Sequence, residues 1–131
     1  MESIRKKAKE LLESKTVQLI VGYENGTSNK VRAAFINDAS QVDRLIYDER
    51  CVQNLAVYLV KHEVKHQGKI GIVATIPVMR TINMLISEEQ VKPENIVVLG
   101  IGEDGKLLDF PDLSIMEGFL QKAKITNSRL V

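Results

Sequence analysis

A chain of 131 residues with a formal net charge of +1 has the size of one domain and projects no general field toward nucleic acid. Aromatic residues make up 5% with no Trp, too few to interleave with the basic clusters Arg5-Lys6-Lys7 and Lys61 to Lys69 as a single-strand platform requires. The single cysteine excludes an internal disulfide and suits a reducing, cytoplasmic setting, and the absence of any long apolar run argues against a membrane partner.

In chain order, Glu2 to Ser14 places Ile4, Ala8, Leu11 and Leu12 on one face and predicts a helix. Val17 to Glu24 reads as a strand, Asn25-Gly26 as a tight turn, and Val31 to Ile36 as a second strand, so the pair forms a candidate hairpin. Ser40 is a candidate N-cap for a short helix with Val42, Leu45 and Ile46. Cys51 opens a longer amphipathic segment, with Val52, Leu55, Ala56, Leu59 and Val60, that reads as a helix ending near Gly68. Lys69 to Thr75 is an apolar strand, and Pro77 suits the first turn of a helix whose face is Met79, Ile82, Leu85 and Ile86. Pro93-Glu94 turns into the strand Ile96 to Ile101. A loop Gly102-Glu103-Asp104-Gly105 follows, and Pro111-Asp112 leads into a last helix with Leu113, Met116, Phe119 and Leu120.

The centre therefore reads strand, helix, strand, with both strands apolar throughout, as expected of a parallel pair buried on both faces. The expected fold is a single α/β domain over residues 1–131. It is a three-layer, sandwich-like arrangement with a small, largely parallel or mixed sheet of about four strands flanked by helices.

The sharpest local pattern is His62-Glu63-Val64-Lys65-His66. Two His one helical turn apart can hold zinc while the Glu between them activates water, and Glu88 or Glu89 would supply a third ligand. This makes a zinc-dependent hydrolase the alternative function. Lys61 and Lys65 flank the pair and Gly68 ends the segment, so a solvated helix end fits the same residues.

In an open α/β sheet, ligands bind beyond the carboxyl ends of adjacent parallel strands. The candidate crevice residues there are Thr75, Pro77, Val78 and Arg80 from the first loop and Gly102, Glu103, Asp104 and Gly105 from the second. Gly100, Gly102 and Gly105 match the G-x-G-x-x-G spacing, but Glu103 and Asp104 would repel a phosphate. Arg80 is a candidate anion ligand or the ion-pair partner of Glu103 or Asp104. Cys51, at an expected helix N-terminus, is a candidate thiol site, although no resolving cysteine or base accompanies it. Met79, Met84 and Met116 fit the core.

Several segments in succession resemble the beta-subunit family of deazaflavin-coenzyme-reducing hydrogenases and dehydrogenases, most closely its ferredoxin-fused relatives in anaerobes. They are Ile20-Val21-Gly22-Tyr23-Glu24-Asn25-Gly26, Val31-Arg32 with Phe35-Ile36, Val42-Asp43-Arg44-Leu45-Ile46, and Cys51-Val52-Gln53-Asn54-Leu55-Ala56-Val57-Tyr58-Leu59. Arg80, Leu85-Ile86-Ser87-Glu88-Glu89-Gln90-Val91, Gly100-Ile101 and Gly105 continue the pattern. The resemblance implies a scaffold that binds iron–sulfur clusters, commonly with a flavin, and passes electrons inside a larger complex. Such members carry a lysine-glycine-cysteine-aspartate loop before the matching arginine and a proline-cysteine pair after the later strand.

At those places this chain has Thr75-Ile76-Pro77-Val78 and Gly102-Glu103. Neither proline nor glutamate replaces a thiolate as a cluster ligand. The implied protein is a non-catalytic subunit or regulatory module, without a complete catalytic centre of its own. Its expected partner is a redox-complex subunit or a second copy of the chain, with a small ligand in the altered crevice as another occupant. No cofactor is expected, an iron–sulfur cluster least of all, and a flavin-binding redox subunit is a further alternative.

Overall fold

The computed structural model describes residues 2–102, 104–110 and 112–130. The chain runs α1 (Glu2–Glu13), β1 (Leu19–Asn25), β2 (Val31–Ile36), a first 3₁₀ helix (Ala39–Arg44) and a second (Leu55–Val60). It continues through α2 (His62–Lys65), β3 (Ile70–Ala74), α3 (Ile76–Ser87), a 3₁₀ turn (Pro93–Asn95), β4 (Ile96–Ile101), β5 (Leu107–Asp109) and α4 (Leu113–Leu130). The strands form one sheet in the order β2-β1-β3-β4-β5.

β1, β3 and β4 are parallel, with Ile70 opposite Leu19 on one side and Ile96 on the other. β2 and β5 border them as antiparallel strands. β3 is buried at every position because it lies at the centre with both faces covered, which is why its sequence is apolar without alternation. β2, at the border, shows mixed burial: Ala34 and Ile36 are buried while Phe35 is exposed. α1 packs against the first 3₁₀ helix, β1 and β4, whereas α3 packs against the second 3₁₀ helix, α4, β3 and β4. Helices thus flank the sheet in a mixed α/β architecture. Each fully buried side chain in the shared core, such as Ile72 or Leu99, contributes about 1.5–3 kcal/mol.

The sheet holds five strands rather than about four, because Leu107–Asp109 pairs with β4. The long helix expected from Cys51 to Gly68 is replaced by a loop, a 3₁₀ helix and one turn of α-helix. The Asn54 side chain accepts from the Ala56 amide, and the Lys61 amide donates to Tyr58 rather than one residue further back. Lys61 is itself extended (φ −72, ψ 132), which separates the two helical pieces. The segment at Val42 is likewise 3₁₀, capped by Asp38 rather than Ser40: the Ser40 amide donates to the Asp38 carboxylate. Leu45 lies just beyond its end, and Ile46 bridges to Tyr23. Among the described residues no helix is long and apolar enough to cross a membrane.

Candidate functional site

The β3–α3 corner turns directly from Ala74 into the helix. Thr75 takes the N-cap position with extended backbone (φ −72, ψ 172) and no side-chain capping bond, and Pro77 sits in the first turn. The Met79 amide closes that turn on the Thr75 carbonyl at 2.9 Å. Of the crevice candidates, Thr75 is half-buried and Pro77 and Arg80 are exposed, while Val78 is only 1% exposed and belongs to the core with Met79. Arg80 makes no ion pair with Asp104 among the described residues.

Gly102 is half-buried, Asp104 and Gly105 are exposed, and Glu103 lies outside the described residues. This loop is a hairpin between β4 and β5, not a strand-to-helix phosphate turn. The Gly102 amide donates to the Lys106 carbonyl at 3.0 Å, and the Asp104 carboxylate accepts from the Lys106 amide at 3.0 Å. Gly100 has a packing reason: a Cβ there would lie 2.5 Å from Phe110 and 3.0 Å from Met79.

The segment from Ile46 to Asn54 fills the carboxyl end of β1, and here most polar groups are bound to one another. Arg50 donates to Asp48 through Nε and Nη2, to the Asn29 carbonyl and side chain through Nη1, and to Asn25 through Nη2. These bonds clasp the loop to the β1–β2 hairpin. The Arg50 side chain and amide hold the Asp48 carboxyl below the usual carboxylate range. Buried Tyr23 donates its hydroxyl to the Gln53 carbonyl, and burial pushes its pKa up to about 12. Asn54 reaches across to Thr81 of α3 at 2.8 Å. Beside them, Glu24 accepts from Arg44 at 3.0 and 3.1 Å and from Arg32 at 3.2 Å.

Cys51 belongs to this loop and not to a helix N-terminus, so no dipole lowers its thiol. Its residue is 3% exposed, and burial pushes the thiol upward despite the Asp48 amide 3.5 Å from Sγ. A thiol so placed is a poor nucleophile. The clasp itself escaped sequence reasoning, although Asp48-Glu49-Arg50 carries a turn signal and Glu24 stands as a lone charge in an apolar run.

His62, Glu63 and His66 are exposed on the single turn of α2. The His66 amide bonds to the His62 carbonyl at 3.1 Å, and the two imidazoles lie 3.9 Å apart, ring centre to ring centre, and perpendicular. Glu63 lines a neighbouring groove with Phe35, Tyr58 and Val64. Among the described residues, no group of three or more His, Cys, Asp or Glu side chains is placed to hold a metal, so neither Glu88 nor Glu89 completes a set with the pair.

The Phe35 groove encloses ≈ 430 Å³ and starts at Leu19, the first residue of β1. Another of ≈ 240 Å³ is floored by Leu59, Ile70, Val91 and Ile96, with Ile70 and Ile96 opening β3 and β4. Both therefore lie toward the amino ends of the parallel strands, opposite the crevice expected from the topology. No family model matches this chain, and no curated protein matches it.

Proposed function

We propose that this domain is a non-catalytic docking module of a cytoplasmic oxidoreductase complex, keeping the scaffold of the deazaflavin-linked beta subunits without their electron relay. The observation that carries this reading is the β3–α3 corner. Where a relative would turn cysteine and aspartate toward a cofactor, the exposed position is Pro77 and the next side chain, Val78, is sealed into the core. A proline ring offers no lone pair to iron, and a buried valine leaves no room for a solvated carboxylate.

Docking is supported by apolar side chains left on the surface beside the border strand. Phe35 is 41% exposed and meets Tyr58 edge-on at 5.1 Å, while Val57 (49%) and Val60 (37%) lie on the same 3₁₀ helix as Tyr58. Exposed apolar side chains at and near a sheet border are the kind of surface a partner covers.

Gentle purification from the native source, followed by assays for iron, sulfide and flavin on the separated subunits, tests the proposal. The expected result is a colourless chain in stable association with a pigmented redox subunit, and a Phe35→Asp variant that no longer associates. A brown or yellow chain on its own, with iron or flavin in stoichiometric amount, would overturn it.

A further inference from the structure

We propose that His62 and His66 form a two-ligand surface site for a borderline divalent cation such as Ni²⁺, Cu²⁺ or Zn²⁺, independent of any hydrolytic role. The warrant is positional. The bond from the His66 amide to the His62 carbonyl fixes the two residues one helical turn apart, so both imidazoles leave the same side of α2. Both rings are exposed and close in space, needing only rotation about their side-chain bonds to aim one nitrogen each at a shared ion.

The turn is held at both ends. The Val64 and Lys65 amides donate to the Lys61 carbonyl, Val64 is buried, and Gly68, at φ +113, ends the segment as a left-handed residue. A short helix pinned in this way presents its imidazoles with little ordering left to lose on binding. The flanking charges are also deflected. Lys65 Nζ donates to the Gln90 carbonyl at 3.1 Å, and Lys61 lines the Phe35 groove.

Two imidazoles with water completing the shell suit the nitrogen-preferring metals, whereas Mg²⁺ and Ca²⁺ require oxygen ligands. With two protein ligands and, among the described residues, no third, the site holds a cation without building a hydrolytic centre.

Calorimetric titration of the full chain with Ni²⁺, against Mg²⁺ as control, tests this. The expected result is one equivalent of Ni²⁺ bound, with affinity falling roughly 100-fold in His62→Asn and equally in His66→Asn, because either change turns a chelate into a single contact. Backbone amide spectra of both variants establish that they fold, which their exposure favours. Wild-type affinity in either variant, a loss of only about twofold in each, or equal binding of Mg²⁺ would each overturn the proposal. Binding retained in both variants and lost in Cys51→Ser would place the metal on the thiol and overturn it as well.

Discussion

At the carboxyl end of β1 and β3, Arg50 binds Asp48, Asn25 and Asn29 across loop and hairpin, and Asn54 separately binds Thr81 of the helix. At the amino end, exposed imidazoles stand on a single turn beside Phe35, Tyr58 and two open grooves. The first region spends its polar groups on holding a shape; the second leaves its groups to solvent. In an open α/β sheet the carboxyl end is where ligands usually bind, so a largely self-satisfied carboxyl end fits a scaffold whose business lies at another surface.

The largest expected break in this contrast comes from Val78→Asp, which puts a carboxylate into the β3–α3 corner. At a position 1% exposed, the uncompensated charge should cost about 3–5 kcal/mol, read as a lowered urea midpoint. An unchanged midpoint would mean the corner opens readily and the crevice is a working site. Next comes Tyr23→Phe, expected to cost about 1–2 kcal/mol at neutral pH because the Gln53 carbonyl loses its donor.

The same hydroxyl ties stability to alkaline pH. A folded pKa of about 12 lies above the unfolded value of 10.0, so the contribution is intact below pH 10 and is lost as pH rises toward 12. Tyr23→Phe should flatten that limb of the stability curve. Asp48 acts in the opposite direction. Its pKa is lowered on folding, so its contribution is present above the ordinary carboxylate range and disappears as pH falls through the folded value. Asp48→Asn should shallow the acid limb in thermal melts, and an unaltered limb would show the clasp adds nothing. The smallest effect on the isolated chain belongs to Val57→Asp. At a side chain 49% exposed it should move stability by no more than about 0.5 kcal/mol while weakening any complex formed through that face.

Much of this architecture is legible in the residues. β2 and β4 follow the predicted limits, and β1 and β3 lie within a residue or two of them, because continuous apolar runs have few other uses in a chain this short. β5 was not, since three residues carry no period. The segment after Cys51 departs from the expected α-helix for a different reason: Leu55, Ala56 and Leu59 at i, i+1 and i+4 suit α and 3₁₀ winding equally. The choice fell to side-chain bonds such as Asn54 to Ala56. The site fared similarly. The spacing of His62 and His66 could be read directly, whereas the clasp of Arg50 joins residues more than twenty apart and exists only once the hairpin folds back.

The unequal borders of the sheet carry one more consequence. β5 has three residues, too few to template a neighbour, whereas β2 has six. Any lateral extension of the sheet is therefore one-sided. Two copies joined β2 to β2 would close about a two-fold axis and expose only the stunted borders, so such a pairing terminates at a dimer and cannot run on into a filament.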